Sequence, residues 1–141
     1  MLKKKGFTLI EILVVLIIVG ILAALAWPNY MAIKEKTLNR EARASLALIR
    51  AAEKIYRMEQ NYYYPFSTTT NVISDINRDL KLSLPESASV SWSISLNSVG
   101  APQYGTATRT GVGVDGRTWR IDFPGDVDPS CTGGSPATNC L

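Results

Sequence analysis

The chain has 141 residues, 15 basic and 12 acidic side chains, and no histidine, which excludes a His-based catalytic triad, histidine-ligated zinc and histidine proton shuttling. The formal net charge of +3 resides in Lys3, Lys4 and Lys5; without residues 1–6 the chain carries 12 basic and 12 acidic side chains, so its charge gives no support for a nucleic-acid-binding surface. The length suffices for one small domain once an N-terminal apolar run is set aside.

That run comes first. Residues 3–28 read K-K-K-G-F-T-L-I-E-I-L-V-V-L-I-I-V-G-I-L-A-A-L-A-W-P. As a helix, the stretch from Phe7 to Trp27 is roughly 30 Å long, the thickness of a bilayer's hydrocarbon core. The three lysines predict a cytoplasmic N-terminus. Glu11 is the exception, because a carboxylate inside an apolar helix costs a few kcal/mol and needs a partner. No Lys or Arg stands between Lys5 and Lys34. A cut between Gly6 and Phe7 would create a cation, placing the new α-amino group of Phe7 one helical turn from Glu11, free to meet the Glu11 of a neighbouring copy. Two plainer readings compete. One is an ordinary signal-anchor helix. The other is a secretory signal peptide, with Ala24-Leu25-Ala26 as its A-x-A site; the run's length and its glutamate argue against it.

The stretch K-G-F-T-L-I-E resembles the class III signal of type IV pilins and type II secretion pseudopilins. The resemblance covers residues 3–60; beyond them it is one of architecture only. It implies cleavage after Gly6 by a membrane prepilin peptidase, N-methylation of Phe7 and an assembly role for Glu11. Gly20 and Pro28 stand where the family has its helix-softening glycine and proline. The implied fold is α+β, a long N-terminal helix packed against a small antiparallel sheet of three to four strands. The expected divisions are a cleaved leader (1–6), a transmembrane or filament-core half-helix (7–28), an amphipathic half-helix (29–61) and a globular head (62–141).

Residues 29–61 contain no further Pro or Gly and are rich in helix formers. Leu38, Ala42, Leu46, Ile49, Ala52 and Tyr56 recur in steps of three or four, and Leu48 and Ile55 widen this stripe. The stripe is expected to dock on the chain's own sheet. Pro28 predicts a kink or loosening near Ala24. Asn61 and Pro65 predict the helix end. Tyr62, Tyr63 and Tyr64 are expected to pack at the junction of helix and sheet. Val72, Ile73, Ile76 and Leu80 have the spacing of a short helix over 71–80. In the family, this connector is an exposed subunit contact.

Three strand signals follow. Val90, Trp92, Ile94 and Leu96 alternate with serines over 89–96, residues 104–114 are rich in Thr, Val and Gly, and 117–123 place Trp119, Ile121 and Phe123 on one face. Asp115-Gly116 reads as a two-residue hairpin turn. The two cysteines, Cys131 and Cys140, lack C-x-x-C spacing and read as a disulfide in an exported compartment. Asp115, Asp122, Asp126 and Asp128 are close in sequence. By resemblance to the calcium-binding major pseudopilins, Asp122, Asp126 and Asp128 are weak calcium candidates. Surface turn residues are the preferred reading, since Asp126-Val127-Asp128 lacks the EF-hand pattern and the cysteine pair matches the disulfide loop of many pilins instead.

The function expected from the resemblance is a structural subunit of a type IV pilus, with a pseudopilin of a type II secretion or DNA-uptake system as the alternative. No catalytic constellation is found, so no enzyme activity and no cofactor are expected. The expected partners are further copies in a helical filament, the prepilin peptidase, the pilus assembly platform, minor pilins and the inner membrane before assembly. Direct nucleic-acid contact is not expected. The expected location is the bacterial inner membrane in a single pass with the head exported, then an extracellular pilus or periplasmic pseudopilus.

Overall fold

The computed structural model describes residues 6–86, 91–110, 116–133 and 140. Helix formers dominate from Leu9 onward, and helix α1 (Leu9–Gln60) runs unbroken for 52 residues, through Pro28. The proline removes one N–H donor from the ladder and crowds the Ala24 carbonyl. The N–H of Asn61 still donates to the Arg57 carbonyl at 2.8 Å, and its left-handed φ of 66° turns the chain out of the helix. Asn tolerates this C-terminal cap conformation.

The chain divides into two units, Met1–Glu35 and Lys36–Leu141. In the first, every described side chain from Phe7 to Lys34 is exposed. The second unit contains the core. It comprises the C-terminal part of α1, strand β1 (Thr69–Thr70), helix α2 (Ile73–Asp79), and strands β2 (Trp92–Asn97), β3 (Tyr104–Arg109), β4 (Thr118–Asp122) and β5 (Ser130–Thr132). The five strands form an antiparallel meander in the order β1-β2-β3-β4-β5. Among the described residues there are two more strands than the sequence signals mark, because β1 and β5 are two and three residues long, too short for an alternation to register.

Ala42, Leu46, Ile49 and Ala52 of α1 are buried together with Trp92, Ile94, Leu96, Ala107, Trp119, Ile121 and Phe123. Each fully buried large side chain contributes about 1.5–3 kcal/mol relative to exposure. The docking stripe is therefore the expected one at its centre, but its edges differ. Leu48 and Ile55 are exposed, and Asn39 and Glu53 are buried in the stripe instead. The sheet covers the side of α1 that carries Leu46 and Ile49. Asn39 and Glu53 each stand seven residues, two turns, from one of those two residues, whereas Leu48 and Ile55 point away. Tyr63 is buried against Phe123 with ring centroids 5.6 Å apart, and α2 lies within the expected 71–80.

The hairpin differs from expectation. Tyr104 pairs with Asp122 and Thr108 with Thr118, and the Arg109 N–H donates to the Arg117 carbonyl at 2.9 Å. A two-residue turn at Asp115-Gly116 would set residue 114 opposite residue 117, a register shifted by an odd number of positions. An odd shift turns a strand over. It would bring Val112 and Thr110, rather than Ala107 and Gly105, opposite buried Trp119 and Ile121. The core thus overrides the turn signal, although Gly116 does take a left-handed φ of 65°. Asp115, Ser89 and Val90 lie outside the described residues.

Candidate functional site

Gly6 and Phe7 precede α1, and Thr8 sits immediately before its first residue, Leu9. The Thr8 N–H donates to Glu11 Oε2 at 2.9 Å, the Thr8 hydroxyl donates to the same oxygen at 2.9 Å, and the Glu11 N–H donates to Thr8 Oγ1 at 3.3 Å. This is a reciprocal capping box. It satisfies amide donors that a helix start otherwise leaves open, and places a negative charge at the positive end of the helix dipole. Sequence reading assigned Glu11 a partner in a neighbouring copy and missed Thr8, although T-x-x-E before an apolar run is the signature of such a cap.

Beyond this cap the surface is apolar. Phe7 is 84% exposed, and the Leu, Ile and Val side chains from Leu9 to Ile33 are exposed as well. Alone among the described residues, α1 is long and apolar enough to cross a membrane. Gly20 meets no neighbour within 4 Å. Lys3, Lys4 and Lys5 lie outside the described residues. A surface of this composition can exchange water for lipid or for other apolar helices. The Glu11 carboxylate, four residues after Phe7, is its single acidic group.

The remaining candidates lie in the second unit. Cys131 and Cys140 form a disulfide with Cα atoms 5.8 Å apart, fastening residue 140 to β5. The three acidic candidates do not converge. Asp122 pairs with Arg120 at 2.9 Å, Asp126 pairs with Lys54 of α1, and Asp128 is exposed. The hydrogen bond and charge of Lys54 hold the Asp126 carboxyl below the usual carboxylate range. No group of three potential metal-binding side chains occurs among the described residues. Arg50 reinforces the Lys54 contact by donating to the Val127 carbonyl at 2.6 Å, so α1 fastens the loop after β4 with two cations.

Three buried polar side chains, Asn39, Arg117 and Glu53, escaped sequence reading. Arg117 Nε donates to Asn39 Oδ1 at 2.9 Å, and Trp119 Nε1 approaches the same oxygen at 3.4 Å, tying β4 to α1. Glu53 is 0% exposed. The Tyr64 N–H donates to its Oε2 at 2.9 Å. Desolvation pushes the carboxyl up to about 8, against the opposing effect of that hydrogen bond.

Residues 1–27 match the family model described as the prokaryotic N-terminal methylation motif. The chain is 42% identical over 69 residues to the type II secretion system core protein G of Escherichia coli K12, covering 49% of this chain and 45% of that protein. It is 37% identical over 65 residues to the type IV major pilin protein PilA of Myxococcus xanthus DK1622, covering 46% of this chain and 30% of the pilin. Against protein G of Vibrio cholerae El Tor, identity is 36% over 61 residues, or 43% of this chain and 42% of that protein. In each case the chain spans less than half the length of the relative that it matches.

Proposed function

We propose, from a pilin-type and pseudopilin-type N-terminal segment as premise, that this chain is a structural subunit of a type IV pilus that polymerises through α1. The observation that carries the reading is the exposed apolar stretch of α1 from Leu9 to Ile33, whose single acidic side chain follows Phe7 by four residues. Lys3, Lys4 and Lys5 hold the leader in the cytoplasm. Prepilin peptidase cuts between Gly6 and Phe7, and Phe7 is N-methylated. Before assembly the helix spans the inner membrane once with the head exported. There the Thr8 cap supplies the Glu11 carboxylate with two donors that lipid cannot.

Assembly by the platform and minor pilins exchanges lipid contacts for helix contacts. Glu11 then sets register by pairing with the Phe7 ammonium of a neighbour. At ~4 Å and an effective dielectric of about 20 the gross attraction is about 4 kcal/mol, before desolvation is subtracted. Gly20 and Pro28 loosen the helix for packing. The Cys131–Cys140 disulfide favours the pilus reading. The secretion protein G relatives support a second reading, a pseudopilin of a type II secretion or DNA-uptake system. Long surface filaments lost on deletion support the pilus; their absence together with failed protein secretion supports the pseudopilus.

Peptide mass spectrometry of the protein from its host tests the premise. The expected chain begins at N-methylated Phe7 and lacks residues 1–6. A chain beginning at Trp27, or one retaining Met1, would remove the role given to Glu11.

A further inference from the structure

The head contains a cavity of about 500 Å³, formed by the end of α1, the loop that follows it and the turn between β2 and β3. Its size is within the range of small-molecule sites, about 300–1,000 Å³. Nothing in filament assembly by α1 uses it. Among the described residues, Arg57 is the only charged one lining it. The guanidinium lies 4.8 Å over the Tyr63 ring and donates to the Tyr63 hydroxyl at 2.9 Å, so it is fixed in place while other N–H donors of the fork remain. Tyr62 and Phe66 meet edge to face, centroids 4.7 Å apart, and Phe66 is 67% exposed. Two side-chain amides complete the set. Asn61 is held by its left-handed backbone at φ 66°, and Gln103 Nε2 donates to the Gly100 carbonyl at 2.8 Å, which orients that amide.

This set selects among ligand chemistries. No carboxylate lines the cavity among the described residues, which offer a metal cation no ligand set there. A wholly apolar ligand would leave a guanidinium and two amides without partners. Amides donate and accept at once, matching hydroxyl groups. Exposed aromatic rings give the C–H face of a pyranose an apolar platform. A guanidinium fork fits a carboxylate in two-point contact.

We propose that this cavity binds an acidic saccharide, a uronic-acid oligosaccharide, with a sugar ring on Phe66 and Tyr62 and its carboxylate on Arg57. The proposal does not depend on whether the chain forms a pilus or a pseudopilus. Titration calorimetry on the full chain in detergent micelles, with trigalacturonic acid and with neutral maltotriose, tests it. The expected result is millimolar or tighter binding of trigalacturonic acid, with maltotriose at least about tenfold weaker. Phe66→Ala, at an exposed position that folding does not need, weakens both by about tenfold. Arg57→Gln removes the preference for the acidic sugar. If Arg57→Gln fails to fold, Arg57→Lys replaces it, keeping the charge but losing the fork, and the preference falls. No binding by the unaltered chain at ~10 mM sugar overturns the proposal, as does binding that Phe66→Ala leaves unchanged. Reduced self-association of Phe66→Ala without any saccharide binding also overturns it, and assigns the cavity to a second copy of the chain.

Discussion

Glu53 shows how one buried side chain sets the response of the head to pH. Its carboxyl is raised to about 8 by desolvation, whereas an unfolded glutamate titrates near 4.3. Below the unfolded value both states hold the proton and the group costs nothing. As pH rises from about 4 to about 8, the unfolded chain gives up its proton first and the fold loses stability, by on the order of a few kcal/mol in all. Above that range the loss levels off. Glu53→Gln keeps an oxygen for the Tyr64 N–H and removes the titration. Thermal unfolding of the full chain in detergent, between about pH 5 and pH 9, is expected to show a falling midpoint in the native protein and a flatter one in the variant. Equal slopes would count against it. Gly105 is a second such residue. A Cβ there would meet Leu96 Cδ2 and Phe123 Cε1, each at 3.3 Å. Gly105→Ala is expected to cost about 1–3 kcal/mol in denaturant unfolding through overpacking; an unchanged midpoint would mean that the Phe123 ring moves aside freely.

Among the elements, α1 was the most legible in the sequence. An apolar run of bilayer length, helix formers over 29–61 and Asn61 at the end are all local signals, and the helix observed spans Leu9–Gln60. Strands β2 and β4 were legible by alternation, and the same parity places Arg117 on the buried face with Trp119, where it meets Asn39. Strand β5 carries no alternation and is held from two sides, by its pairing with β4 and by the disulfide from Cys131 to Cys140. Replacing both cysteines by serine removes the loop closure, expected to lower stability by about 2.5–3 kcal/mol in the chain-entropy account. Hydrogen exchange of the full chain should then show faster exchange at β5 than at β2 or β3. Uniform exchange across the strands would mean that pairing alone holds β5.

For the whole molecule, the apolar part of α1 is the proposed assembly element. Glu11→Ala leaves the Gly6–Phe7 junction intact, so processing to Phe7 is expected to continue while sheared filaments disappear. The variant also loses the Thr8 cap, at about 1 kcal/mol, a small effect beside the loss of the proposed pairing with a neighbour. Normal yields of sheared filaments from Glu11→Ala would sink the proposed register-setting role. Thr8→Ser, which keeps both the hydroxyl and the cap, is expected to assemble normally in the same assay.

Sequence alone determined whatever depends on residues near one another in the chain: the N-terminal motif, the span of α1, α2, the alternation of β2 and β4, and the cysteine pair. Periodicity and capping are local physics, legible without a fold. Tertiary structure decided where the edges of the covered stripe on α1 fall, and therefore why Glu53 is buried while Leu48 and Ile55 are exposed. It decided the β3–β4 register against a strong turn signal, since an odd slip would turn the inward face outward. It also separated Asp122 from Asp126, giving one to Arg120 and the other to Lys54. The cavity lined by Arg57, Phe66 and Gln103 had no sequence signal, because its walls come from segments more than 30 residues apart that only packing brings together.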